Sequence, residues 1–253
     1  MSNRYVHGYA SEEQERLVEQ AEHWREELIL SGTKLAPGTR LLEVGCGVGA
    51  VLGILGDAFP GVVLSGVDIE DRQLGAARAH LADLGLQADL RKADATALPY
   101  EDASFDHVWM MWFLEHVPDP VAALKEARRV LVPGGRITAI EVDYNSVWTS
   151  PETDTLRALF DDVARTMEAN GRSDTGARLE GWLVEAGFGS VDPGERRLHY
   201  SGGELFRQLP YVAAVVESTL GTQHEAGLAE LKTLATRPGA ALGFTVYKTT
   251  AEA

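Results

Sequence analysis

Apolar positions along the chain switch between two periods. Leu17, Ala21, Trp24 and Leu28 fall four, three and four residues apart, one stripe on a helix predicted over 11–30. Ser11 caps that helix and Gln14 completes a capping box. From Arg40 short apolar runs take over. Leu41-Leu42-Glu43-Val44 ends in glycines and reads as a buried parallel strand. A helix to about Phe59, a strand over 62–67, a helix over 72–84 and strands over 90–92 and 105–110 follow. Asp119 caps a helix with Pro120 in its first position, running to Leu131. Pro133-Gly134-Gly135 halts it, and 136–142 is a fifth strand. Strands alternating with helices of this length specify an α/β fold with a doubly wound parallel sheet.

Beyond Val142 the pattern is looser. Helices are predicted over 150–171 and 179–186, a weak strand at Ser190-Val191, then helices over 205–220 and 225–236. Pro210 is expected to break or kink the first of that last pair. Residues 242–247 alternate as a last strand. With no repeat, low-complexity tract or linker, 1–253 reads as one domain. It divides into 1–36 with the N-terminal helix, 37–143 with the alternating strands and helices, 144–241 with the looser helices and sheet edge, and 242–253 with the last strand.

Charge narrows the partners. The 253 residues carry 23 Lys and Arg against 38 Asp and Glu, a net charge of −15. Phosphate backbones are gripped by clustered Lys and Arg, so nucleic acid is not expected as a partner. Anionic membrane surfaces are disfavoured for the same reason. The single cysteine, Cys46, excludes an intramolecular disulfide. No signal peptide is read at the N-terminus and no apolar run approaches the ~18 residues that span a bilayer, so a cytoplasmic location is expected.

The informative loop is Glu43-Val44-Gly45-Cys46-Gly47-Val48-Gly49-Ala50, between strand and helix. Read as Gly45-x-Gly47-x-x-Ala50, with Asp68 downstream, it fits a dinucleotide fingerprint, which keeps an NAD(P)-dependent oxidoreductase open. Glu43 just before the glycines attracts an ammonium group and repels a pyrophosphate. Asp94-Ala95 follows the third strand, where an acid can accept from an adenine amino group. Leu114-Glu115-His116-Val117-Pro118-Asp119-Pro120 leads into the next helix.

With these motifs in this order, residues 40–142 closely resemble the class I S-adenosylmethionine-dependent methyltransferases, in the small-molecule subgroup related to ubiquinone-pathway enzymes. The resemblance implies a Rossmann-like seven-stranded sheet with one antiparallel strand, here 242–249. It implies that Glu43, Gly45, Cys46 and Gly47 surround the methionine part of the cofactor, and that Asp68 accepts both ribose hydroxyls. Ile69 packs on adenine, Gln73 touches the ribose, and Asp94 with the Ala95 N–H reads the adenine edge. The Met110 carbonyl, ending the fourth strand, holds the cofactor's amino group. The product would be S-adenosylhomocysteine.

Base candidates are His7, His116 and Glu141, the last ending the fifth strand. Metal-using relatives carry a further Glu at the position of Trp112, so no metal site is expected. Tyr5, His7 and Tyr9 are expected to form a lid with an aromatic face near the sulfonium. Similar segments are exchanged in some dimers of the family, which leaves a homodimer open. Trp112, Phe113, Tyr144, Trp148, Phe206 and Tyr211 are the expected acceptor pocket, and their aromaticity favours a flat, apolar small molecule, a secondary metabolite by family analogy. Methylation on O, N or activated aromatic C is open. So is a non-catalytic S-adenosylmethionine-binding protein.

Overall fold

The computed structural model describes residues 11–253. The predicted first helix divides at Trp24. α1 (Ser11–His23) ends there and a six-residue π-helical stretch, Arg25–Leu30, continues. Leu28 N and Ile29 N both donate to Trp24 O, at 3.0 and 3.1 Å, so the helical step widens. The apolar stripe survives the change: Ala21, Trp24 and Leu28 are all buried.

β1 (Arg40–Val44), α2 (Ala50–Ala58), β2 (Val63–Asp68), α3 (Asp71–Asp83), β3 (Ala88–Lys92), β4 (Phe105–Met111) and α4 (Pro120–Val130) follow the expected alternation. Asp119 caps α4 by accepting from Ala122 N at 2.9 Å. β5 (Leu131–Ser150) is far longer than the expected 136–142. α5 (Asp154–Asn170), α6 (Thr175–Glu185), β6 (Gly189–Asp192), β7 (Glu195–Ser201), α7 (Gly202–Leu220), α8 (Glu225–Thr233) and β8 (Ala241–Glu252) complete the described chain.

The sheet runs β3-β2-β1-β4-β5-β8-β6, with β7 also on β8. β1 to β5 are parallel, and β8 runs antiparallel to β5. The seven expected positions therefore hold eight strands. β6 and β7 lie end to end along β8 and are one edge strand broken at Pro193-Gly194. Gly194 sits at φ +57, and a Cβ there would lie 2.0 Å from Lys248 O. Only glycine lets the two backbones meet so closely.

Two further expectations are corrected. Pro210 does not break α7, which is continuous. Pro210 and Phe206, whose carbonyl would have accepted its missing N–H, both lie on the exposed face, where an open carbonyl costs little. β5 continues past Val142 because β8 pairs with it twice, over 136–143 and again over 148–150, with a register shift between Asp143 and Trp148. The bulged residues re-aim toward the sheet's ligand end, and Tyr144 N turns away to donate to Ser173 O at 2.8 Å.

Alternation sends Leu41 into one core and Leu42 into the other. Residues of α1, α2, α5, α7 and α8 fill the first, and residues of α4 and α6 the second. Among the described residues no helix is long and apolar enough to cross a membrane.

Candidate active site

The glycine loop closes β1 onto α2 with four of its amides bonded within the protein. Gly45 N and Cys46 N both donate to Val67 O at 2.9 Å, and Gly49 N to Cys46 O at 2.8 Å. Gly47 N donates to Asp68 Oδ2 at 2.9 Å, while Asp68 Oδ1 accepts from Glu70 N at 2.9 Å. Gly45, Gly47 and Gly49 all take positive φ, at 74°, 49° and 73°. The Phe113 ring lies against Gly45, where a Cβ would come within 2.1 Å of its Cδ2. A Cβ at Gly47 would meet nothing within 4 Å, so that face of the loop is open.

Two acids flank the loop. Glu43 is buried, and its Oε2 has no hydrogen-bond partner. Burial pushes its carboxyl well above the usual range, and the Asp68 charge adds to this. Burial also raises Asp68, opposed by its bonds to the Glu70 and Gly47 amides. An anion-binding loop offers free N–H groups and positive potential. This one has the amides of Gly45, Cys46, Gly47 and Gly49 bonded, a buried carboxylate with one unpartnered oxygen and a second acid, which suits a ligand with an ammonium group and hydroxyls. Because the cation-binding form of Glu43 is the carboxylate, affinity for such a ligand is expected to fall as pH drops through the raised Glu43 range. Calorimetric titration at several pH values checks this, and an affinity independent of pH would remove Glu43 from the site.

One cavity of about 820 Å³ runs from this loop to an aromatic end. Its polar end is lined by Glu43, Gly45, Cys46, Gly47, Asp68, Ile69, Gln73, Asp94 and Ala95. Gln73 is buried, and its Oε1 accepts from Gln14 Nε2 at 3.0 Å. Asp94 turns Oδ1 to Thr96 N and Oγ1, at 2.8 and 2.7 Å, and these bonds hold its carboxyl below the usual range. At the other end the junction after α1 supplies Trp24, the β4 end Trp112, the β5 bulge Tyr144 and Val147, α7 Tyr211, and β8 Phe244. Trp24 is the hub, edge-on to Tyr211, Phe244 and Trp112 with centroids 5.5, 6.1 and 6.3 Å away. Trp24 and Phe244 were missed by the sequence reading. Trp24 carries the signal only of a core stripe, and Phe244 only of strand alternation.

The structure thus gathers every predicted polar-end residue except Met110. The Met110 side chain is fully buried in the second core and Met111, one residue on, lines the cavity, so Met110 can meet a ligand only through its carbonyl, the contact expected of it. β4 extends one residue past the expected end, which moves the crevice by one side chain. Trp112, Phe113, Tyr144, Tyr211 and His116 line the cavity as expected. Trp148 and Phe206 do not. Trp148 is exposed past the bulge, edge-on to His199 at 5.2 Å, and Phe206 lies on the exposed face of α7. Glu141 stands mid-strand in β5, fully buried and outside the cavity lining, which corrects its place at a strand end. Tyr5, His7 and Tyr9 lie outside the described residues.

Residues 42–139 match the family model described as a methyltransferase domain. The chain is 38% identical over 133 residues to the 27-O-demethylrifamycin SV methyltransferase of Amycolatopsis mediterranei, covering 52% of this chain and 48% of that protein. In fold it is similar to the cyclase SpnF, with a TM-score of 0.59, 23% identity, and coverage of 94% of this chain and 80% of that one. It is also similar to a SAM-dependent methyltransferase from Aquifex aeolicus, with a TM-score of 0.56, 14% identity, and coverage of 95% and 99%. The chain spans about half the length of the curated relatives it matches.

Sheet order and loop define a Rossmann-like α/β fold, and residues 42–139 within it match the methyltransferase-domain model. Over that segment the chain is similar to methyltransferases of small molecules and of the ubiquinone pathway.

Proposed function

We propose that the cavity binds S-adenosylmethionine at its polar end and passes the methyl group to an O, N or activated aromatic C atom of a flat, apolar small molecule at its aromatic end. The observation that carries this is the cavity itself: one space with acids and a glycine loop at one end and aromatic rings at the other. The relative named for 27-O-demethylrifamycin SV supports a small-molecule acceptor, and the net charge of −15 argues against nucleic acid.

When bound, S-adenosylmethionine supplies an electrophilic methyl group on a sulfonium. Glu43 faces the ammonium group, and its orphaned oxygen gains a partner only from such a ligand. Asp68, with two backbone donors already fixing its plane, accepts the ribose hydroxyls. Ile69 covers the adenine, while Asp94 and Ala95 read its edge. Trp24, Trp112, Tyr211 and Phe244 exclude water and hold the acceptor collinear with the methyl group, where effective molarity is worth ~7–11 kcal/mol.

Against dinucleotide binding stand the two acids at the loop, Glu43 and Asp68, which repel a pyrophosphate, and the amides of Gly45, Cys46, Gly47 and Gly49, which are bonded within the protein. The reaction is tested by incubating the protein with S-adenosylmethionine and a panel of aromatic hydroxyls, amines and indoles, and weighing products. A gain of one methyl group with S-adenosylhomocysteine release is expected. Tight cofactor binding with no turnover across the panel would instead mark a non-catalytic binding protein.

The lid assignment of Tyr5, His7 and Tyr9 completes the proposal. Deleting residues 1–10 is expected to abolish turnover while the unfolding midpoint stays within a degree or two. A deletion variant with full activity would retire the lid.

A further inference from the structure

The cavity wall holds an acid that cofactor binding does not use. Glu115 sits on the short turn Leu114–His116 after β4, lines the cavity, and is 2% exposed. Its Oε1 lies 3.3 Å from His116 Nε2 and accepts from the Tyr144 hydroxyl at 3.4 Å. Its Oε2 has no hydrogen-bond partner. Behind the turn, Glu141 Oε1 accepts from Phe113 N at 2.9 Å and Leu114 N at 2.7 Å. That clamp holds a strained backbone, since Trp112 takes φ +48 without being glycine. Burial, and the Glu115 charge beside it, push the Glu141 carboxyl well above the usual range.

We propose that Glu115 is the catalytic base of the transfer, its Oε2 accepting the proton of an acceptor hydroxyl, with Glu141 the positioning residue that fixes the turn. This rests on the methyl-transfer reading and narrows its acceptor to a flat, apolar molecule bearing a hydroxyl group. A buried carboxylate oxygen without a donor is costly, so its retention in a cavity points to a donor on the ligand. Between hydroxyl and amine the chemistry decides. A neutral amine attacks with its lone pair and needs no base beforehand, whereas a carboxylate beside it favours the unreactive ammonium form. A hydroxyl must lose its proton, which a buried carboxylate can take. As the hydroxyl oxygen's electron pair forms the new O–C bond, the C–S pair stays with sulfur and the proton passes to Glu115 Oε2. His116 and Tyr144 hold Oε1, and Oε2, shielded from solvent, is the oxygen left without a partner.

The test uses the full chain loaded with S-adenosylhomocysteine and a probe pair, 2-naphthol and its methyl ether. The wild type is expected to bind the naphthol at least roughly tenfold more tightly than the ether, a charge-assisted hydrogen bond being the difference. Glu115→Gln should erase that preference, leave S-adenosylhomocysteine affinity unchanged, and keep an unfolding midpoint at or above that of the wild type. Turnover of aromatic hydroxyls should fall about 10²–10⁴-fold. Glu141→Leu should lower midpoint and turnover together, and Glu141→Gln, which still offers an oxygen to both amides, should restore both.

A wild type with no preference for the naphthol, or binding neither probe, overturns the assignment. So does a Glu115→Gln variant that loses several degrees of midpoint, or one that turns over within tenfold of the wild type. Failure of the underlying reading shows separately, as a wild type that does not bind S-adenosylhomocysteine. In that case the probe pair and the midpoints, repeated without cofactor, still judge Glu115.

Discussion

Replacing Asp68 by alanine is expected to weaken S-adenosylhomocysteine binding by roughly 10²–10⁴-fold, from two hydrogen bonds to a charged group at about 1.5–3 kcal/mol each. The loss has two sources. The ribose hydroxyls lose their acceptor, and Gly47 N loses the Oδ2 atom that holds the open side of the loop. Asp68→Asn separates the sources. It keeps an oxygen for one partner and removes the charge, so an intermediate loss is expected. Isothermal calorimetry reads both variants, and wild-type affinity in Asp68→Ala would remove Asp68 from the site.

Gly45→Ala is the second large effect. The added Cβ would fall 2.1 Å from Phe113 Cδ2, on a backbone held at φ +74. The left-handed conformation costs an alanine about 1–2 kcal/mol and the overlap about 1–3 kcal/mol more. A loss of roughly 2–5 kcal/mol in urea unfolding is expected, together with cofactor affinity, because the displaced ring belongs to the cavity wall. Gly47→Ala is the control. It carries the conformational strain without the clash, so it should lose less stability. Equal losses at the two positions would show that the Phe113 contact is not the cause.

What could be read from the sequence follows from how each element is stabilised. β1, β2 and β4 are largely buried on both faces, so each carries an apolar stretch that stands out locally. β7 is an edge strand whose Arg197 and His199 face solvent while Leu198 and Tyr200 face inward, and its polar half hid it. The second half of β5 crosses polar Asp143, Asn145 and Ser146. Its partner in β8 is about a hundred residues away, a pairing with no local signal.

The same division runs through the site. Glu43, Gly45, Gly47 and Asp68 sit on one strand-loop-strand unit and were legible by spacing. The aromatic end draws on α1, β5, α7 and β8, so composition pointed to the right residue type but misplaced Trp148 and Phe206. Among the acids, Glu141 was read as a base because the fifth strand was ended too early. In place it anchors the turn that presents Glu115.

The most direct measurement of the central claim is thermal unfolding with S-adenosylmethionine, S-adenosylhomocysteine, NAD and NADP in parallel. At a hundredfold excess over the dissociation constant a ligand adds ~2.7 kcal/mol. For a chain of this size that raises the midpoint by roughly 5–10 °C. The account predicts that rise with the two sulfur ligands and none with either dinucleotide. A rise with NAD or NADP alone would contradict it and make the glycine loop a pyrophosphate site.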